Sequence, residues 1–282
     1  VKDEDGFAQT ANRIPVPTKL LDLPNKASVF TFYGGWARSL QDDERFRQMA
    51  LGFDARVALT PDLNFEWADA TYVPHAFDMS ETSFSWTDSN LVAHSPSKRS
   101  RKGTSLFLEA IKDLDLEIDL IEGVPNSECI ARKRRAAVFF DQAGREDPKK
   151  LGTDRVIGWY GNSAIEAAMA GIPTMVHLSK HALDRAAAGG KERISECPFI
   201  NCELTADSMS KLLKEFFSLE RSQRRDIALN TFNWTRRFHG YRSVASDLNA
   251  LYSSLLSSSI PTRAVPGFGE EPSLEEAGRT GA

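Results

Sequence analysis

"GWYGNSAIEAAMAGIPTM" (Gly158–Met175) opens on glycines and small polar residues, runs into an alanine-rich stretch and stops at Gly171-Ile172-Pro173. Asn162 or Ser163 is placed to cap a helix over 162–170, and the glycine and proline end it. Ala164, Ala167, Ala168 and Ala170 carry almost no bulk, so this helix can pack close to a sheet. The segments on either side, "AAVFFDQ" (136–142) and "PTMVHL" (173–178), are apolar runs of strand length. Strand, helix and strand in that order make a parallel pair with a helical crossover.

The same alternation extends in both directions. Upstream, "NLVAHS" (90–95) reads as a strand, "GTSLFLEAIKDL" (103–114) as an amphipathic helix, "LEIDLI" (116–121) as a strand and "NSECIARKRRA" (126–136) as a helix. Downstream, helices are expected over 205–218 and 221–256, the second broken near Gly240. Nearer the start, "ASVFTF" (27–32), "DARVAL" (54–59) and "ATYVP" (70–74) read as strands, and 39–51 as a helix. The expectation is an α/β protein with a doubly wound, Rossmann-like parallel sheet over 90–238 and a partial Rossmann-like unit over 1–77. A linker is expected at 78–89, a closing helix at 239–260, a proline-bearing loop at the start and a disordered tail at 261–282. The front unit is short for a complete doubly wound domain, and the chain begins Val-Lys-Asp-Glu, so an N-terminal truncation is expected.

Composition narrows the function classes. The net charge of −4 gives no bulk attraction to nucleic acid, so a nucleic-acid partner is not expected. The cysteines, Cys129, Cys197 and Cys202, form no CxxC pair and point to free thiols in a reducing, cytoplasmic setting. No apolar run reaches the length of a membrane span. The histidines His177, His181 and His239 have no metal-binding spacing, and no GxSxG is present. Asp113-Leu114-Asp115 reads as a solvated turn rather than a metal motif, and Cys197–Cys202 as structural.

Ligands of such sheets bind beyond the carboxyl ends of the strands. After 90–95 comes "HSPSKRSRKGT", with Lys98, Arg99, Arg101 and Lys102 ahead of Gly103. Cations leading into a helix start favour an anion; a solvated charged loop is the alternative, and GxxxxGK[ST] is absent. At the start of the 162–170 helix, free amides at 162–164 would face a pyrophosphate, with Gly158 and Gly161 allowing close approach. Glu166 lies about one turn in and points back toward the helix start. Its carboxylate suits two ribose hydroxyls, or it is a plain first-turn acid stabilised by the helix dipole. His94 closes a strand beside the cationic loop and reads as structural or as a neighbour of donor or acceptor. His75 stands at the linker. Arg132–Arg135 reads as the solvated face of a helix, with a peripheral membrane contact or an anionic acceptor as the lesser alternative.

At these residues the chain resembles a GT-B glycosyltransferase of the family-4 type. The resemblance rests on "HSPSKRSRKGT", "IDLIEGVPNSECIARKRRAAVFFDQ", "GWYGNSAIEAAMAGIPT" and the closing "W…HGYRSVASDLNALY", over about 90–256. "FYGGWAR" and "TPDLNFEWADATYVPHAFD" resemble the end of an acceptor-side domain. The resemblance implies transfer of a sugar from a nucleotide-sugar donor, UDP- or GDP-linked, with retained configuration and no required metal or other cofactor. The leaving phosphate would take the acceptor proton. The acceptor, a glycan, lipid or small molecule, is not specified. Arg99 and Lys102 match the cationic pair on the diphosphate, with Ser95 and Gly103 flanking them. Glu166 matches the second acid of an E-x7-E motif, the one on the ribose, and Glu122, Gly123 and Val124 match the segment beside the base. Gly161, Asn162, Ser163, Ala164 and Ile165 match the helix start facing the phosphates. Two positions depart from the pattern. The first acid of E-x7-E falls at Gly158, with Asp141 or Asp154 as stand-ins, and the loop after the acceptor-side strand carries Tyr33 where relatives have histidine, while Arg38 is kept. The alternatives are an inactive nucleotide-binding remnant of the fold and a GT-B-like epimerase or phosphorylase.

Overall fold

The computed structural model describes residues 27–80, 82–144, 156–188, 194 and 196–257. The opening loop, Asp154 and the tail beyond 260 lie outside the described residues. Two parallel sheets organise the rest. The first has three strands in the order β1 (Val29–Phe32), β2 (Ala55–Ala58), β3 (Thr71–Tyr72). The second has five: β4 (Leu91–His94), β5 (Glu117–Leu120), β6 (Val138–Phe140), β7 (Thr174–Val176) and β8 (Ile200–Asn201), ordered β5-β4-β6-β7-β8. All neighbours in both sheets run parallel. The strand order reverses between β4 and β6, which creates a crevice at their carboxyl ends.

β6 is the central strand, and Val138, Phe139 and Phe140 are all fully buried. A parallel strand covered on both faces needs apolar residues at successive positions, hence the continuous "AAVFF". On one face Phe140 stacks on Phe107 with centroids 4.4 Å apart. Phe107 belongs to α4 (Thr104–Ile111), and α8 (Ala206–Ser218) adds Met209, Leu213 and Phe216 to the same core. On the other face Phe139 packs with Ala167, Ala170 and Ile172 from the α6 helix (Asn162–Ala168) and the turn after it.

The first unit carries α1 (Gly34–Leu40) and α2 (Glu44–Leu51) where one helix over 39–51 was expected. Asp43 splits them because its side chain caps α2 by accepting from the Phe46 amide at 3.0 Å. Other short elements are α3 (Arg99–Lys102), α5 (Asn126–Lys133) and α7 (Lys180–Ala188). α3, α7 and β8 had no periodic signal long enough to announce them.

The closing segment is two helices, α9 (Arg221–His239) and α10 (Tyr241–Ser257), parting at Gly240 as the sequence indicates. α10 runs back to the first sheet, where Val244 is buried with Val57 and Val73 and flanked by Leu248 and Leu251. The short front unit thus borrows part of its cover from the end of the chain. Residues expected as a linker also pack tightly. Trp86 donates Nε1–H to Ala137 O at 3.1 Å, and the Ser85 amide bonds Ala170 O at 3.0 Å.

One backbone bond and two bonds of the His239 ring tie the crossing points. Phe77 N donates to His239 O at 2.8 Å, and the buried His239 ring bonds His75 O through Nδ1 at 2.8 Å and Tyr160 Oη through Nε2 at 3.0 Å. A carbonyl only accepts, so Nδ1 carries the proton and Nε2 accepts from the tyrosine. Burial pushes this imidazole down to about 4.

Candidate functional site

A cleft of about 480 Å³ lies between the carboxyl ends of the two sheets. Tyr33, Arg38, Thr60 and His75 form one wall. The other wall is the crevice of the five-stranded sheet: Ser95, Arg101, Lys102, Glu122–Val124, Lys133, Gly161–Ser163 and Glu166.

Gly103 sets the cationic edge. Its φ of +70° ends α3 and begins α4, a backbone form that favours glycine, and an added Cβ would strike Ala143 O. The turn fixes which of the cations face inward. Lys102 does: its Nζ donates to Asp141 Oδ1 at 2.8 Å. The lysine side chain is 13% exposed and the aspartate 1%. Asp141 Oδ2 also accepts from the Gly161 amide at 2.7 Å, which locks the glycine turn to the end of β6. Of the ammonium's three N–H bonds, one is engaged by Asp141 and two have no partner among the described residues.

Deeper in the crevice an ion pair of the opposite orientation appears. Lys133 Nζ donates to Glu166 Oε2 at 2.7 Å, with the lysine side chain 1% exposed and the glutamate 22%. The same Nζ donates to Ser163 Oγ at 2.7 Å and Ser163 O at 3.3 Å, and sits 4.9 Å from the centre of the Phe139 ring. Ser163 Oγ in turn bonds Ser95 Oγ at 2.8 Å. The first pair turns a cation to the cleft and buries its carboxylate; the second buries the cation and turns a carboxylate to the cleft.

Most of the residues singled out by sequence come together here: Ser95, Lys102, Glu122, Gly123, Val124, Gly161, Asn162, Ser163 and Glu166 all line the cleft. Four do not. Arg99 does not line the cleft; its side chain is 57% exposed and forms a two-pronged pair with Glu122, which does, with Nε 2.9 Å from Oε1. Arg101, two residues on, lines the cleft instead, and an added Cβ on Gly35 of the opposite wall would strike its guanidinium. Gly103 is committed to the turn. Ala164 and Ile165 are buried, and the Ala164 amide bonds Gly161 O at 3.0 Å. The amides that begin the helix without an intrahelical partner are therefore those of Asn162 and Ser163.

Lys133 was expected on a solvated face. It is among the largest fully buried side chains, whereas Arg134 and Arg135 beside it are exposed and Arg132 pairs with Asp119. Successive helical residues point about 100° apart, so a run of four cations can turn one inward. Glu166 is therefore more than a first-turn acid stabilised by the helix dipole, because it answers this buried ammonium.

Gly158 does not line the cleft, and an added Cβ there would strike the Ser179 side chain. No side chain fits there without displacing Ser179, and Asp141 is already held by Lys102 and Gly161. His94 is fully buried, with Nδ1 2.9 Å from Phe140 O and Nε2 2.8 Å from Thr104 Oγ1, and burial pushes it down to about 4. It braces β4 against β6 and α4. His75 does line the cleft, its ring 5.6 Å from that of the exposed Tyr33, and burial lowers its pKa. Arg38 is held by Asp62 at 2.6 Å. Cys197 and Cys202 pack in apolar clusters, where burial pushes both thiols up to about 12. Asp113 and Asp115 are exposed. Among the described residues no group of three or more His, Cys, Asp and Glu is placed to hold a metal, and no helix is long and apolar enough to cross a membrane.

No protein-family model matches the chain, and no curated protein matches it in sequence. Solved structures do match it in shape. A glycosyltransferase from Rickettsia africae superposes with a TM-score of 0.55 at 11% identity, over 92% of this chain and 83% of that one. An alpha-glucosyltransferase in complex with UDP and a 13-mer DNA containing an HMU base gives 0.55 at 12%, over 84% and 75%. Anabaena HepE in complex with UDP-glucose gives 0.51 at 11%, over 81% and 72%. The fold is GT-B. At these identities the likeness is one of architecture, and the chemistry has to be argued from the cleft.

Proposed function

We propose that the cleft binds a nucleoside-diphosphate sugar and that the chain transfers the sugar to an acceptor held against the Tyr33–His75 wall. The observation that carries this is the pair of oppositely oriented ion pairs at the strand-order reversal. Lys102 turns an ammonium to the cleft, next to Arg101 and the Asn162 and Ser163 amides, which suits a diphosphate. Glu166 turns a carboxylate to the cleft nearby, which accepts from ribose hydroxyls. Glu122–Val124 border the place left for the base. The folds that this chain is similar to include complexes with UDP and UDP-glucose, which makes uridine diphosphate the first nucleotide to test.

In this reading the chemical step is electrostatic. As the bond from the sugar to the diphosphate breaks, negative charge grows on the leaving oxygen, and Lys102, Arg101 and the amides are already in place to meet it. The leaving phosphate takes the proton of the attacking hydroxyl on the same face, so configuration is retained and no metal is required. Transfer that continues in a chelator supports that last point.

A second reading has its own observation. With Gly158 packed on Ser179, no acid among the described residues stands at the donor-sugar position, which favours a nucleotide-binding protein without turnover. Calorimetric titration of UDP, GDP and ADP, followed by transfer assays with the sugar conjugates of whichever binds, separates the two. Binding with transfer supports the enzyme; binding without transfer supports the inactive form; no binding at millimolar nucleotide removes both.

A further inference from the structure

We infer that Lys133 is a positioning residue whose function is to hold Glu166 as a ribose-hydroxyl acceptor, so that the site's preference for ribonucleotides depends on a lysine that never touches the ligand. The inference rests on the donor-site reading above and deepens it. A lysine ammonium has three N–H donors, and all three are spoken for: Glu166 Oε2, Ser163 Oγ and Ser163 O. None is left for a phosphate, although Lys133 borders the cleft. Lys102 differs in having donors to spare. What Lys133 does instead is fix two neighbours. It holds Glu166 Oε2 and so leaves Oε1 as the acceptor, and it occupies Ser163 Oγ and so orients the bond to Ser95. The ammonium is pinned over the Phe139 ring, on a fully buried strand, so the carboxylate it holds has little freedom to turn away. A glutamate without this anchor is free to turn toward solvent, and its two hydroxyl contacts would be lost together.

The test uses the full chain and three nucleotides, UDP, GDP and ADP, each against its 2′,3′-dideoxy analogue, with inorganic pyrophosphate as the probe that carries no hydroxyls. Wild type is expected to prefer the ribo form by about 10- to 100-fold, the size of hydrogen bonds to a charged acceptor. In Lys133→Met the preference is expected to fall to within about twofold, matching Glu166→Gln, with pyrophosphate affinity changed much less than nucleotide affinity. A general loss of structure would weaken pyrophosphate and both nucleotide forms alike. If Lys133→Met does not fold, Lys133→Leu, which also removes all three donors, is measured instead against the same criterion. A variant that discriminates ribo from dideoxy forms as well as wild type does overturns this inference and leaves the donor site standing. A wild type that binds a nucleotide without discriminating also overturns it, and a wild type that binds neither nucleotide nor pyrophosphate overturns the donor-site reading as well.

Discussion

The pair Lys102–Asp141 buries its carboxylate and offers its ammonium to the cleft, whereas the pair Lys133–Glu166 buries its ammonium and offers its carboxylate. In each a lysine ends a short helix, Lys102 on α3 and Lys133 on α5; Asp141 directly follows β6 and Glu166 lies on α6, and both lysines line the same cleft. The difference lies in which partner the sheet covers. Asp141 directly follows the fully buried Phe140, so the carboxylate is the fixed member and lysine reaches to it. Lys133 ends a helix packed over Phe139, so the ammonium is fixed and Glu166 reaches to it. One sheet thereby presents a positive and a negative group side by side, the polarity that a nucleoside diphosphate needs.

The comparison is broken most severely by removing the outward member of the second pair. Glu166→Ala leaves a buried ammonium without its acid, and urea unfolding is expected to show a loss of about 3–5 kcal/mol. Neutralising both members, in Lys133→Met/Glu166→Gln, is expected to cost clearly less than Glu166→Ala alone, because no charge is left stranded. A double variant that is as unstable as Glu166→Ala would mean that packing, not charge, is what the pair provides.

Buried bases that lack an acid partner sharpen the contrast. His94 and His239 are covered as fully as Lys133, yet each meets only a carbonyl and a hydroxyl, and burial pushes both down to about 4. Their folded values lie below the ordinary 6.5, so the unfolded chain takes up protons first. Stability is expected to be full above pH 6.5 and to fall as the pH drops toward 4. At about one unit below the ordinary value the two together cost about 3 kcal/mol. Unfolding curves across that window check it, and a flat profile would show that neither imidazole is held neutral.

Two substitutions on the first basic helix are smaller in effect. Lys102→Met is expected to weaken pyrophosphate binding by about 1.5–3 kcal/mol, the range for hydrogen bonds to charged groups. Arg99→Ala, which breaks only the solvent-exposed pair with Glu122, is expected to leave both melting temperature and pyrophosphate affinity unchanged.

That last contrast marks how far the sequence could be read. The parallel alternation and the meeting of Ser95, Lys102, Glu122–Val124, Gly161–Ser163 and Glu166 were legible, because strand ends and glycine turns place loops by topology alone. The choice among Arg99, Arg101 and Lys102 was not. It is set by the left-handed Gly103 and its contact with Ala143, a tertiary constraint. Lys133 was hidden for a similar reason. Within Arg132–Arg135 each residue is equally polar, and only the seating of the helix over Phe139 decides which one is buried. The break of the closing helix at Gly240 was visible; its return to cover the first sheet through Val244 was not, since nothing local says where an amphipathic helix will dock.

The claim that matters most is the division of labour between the two pairs. Calorimetric titration of pyrophosphate and of UDP into wild type, Lys102→Met and Glu166→Gln tests it directly. The account predicts that Lys102→Met weakens both ligands while Glu166→Gln weakens UDP and spares pyrophosphate. Equal weakening of pyrophosphate by the two substitutions, or a UDP affinity indifferent to Glu166→Gln, would contradict it.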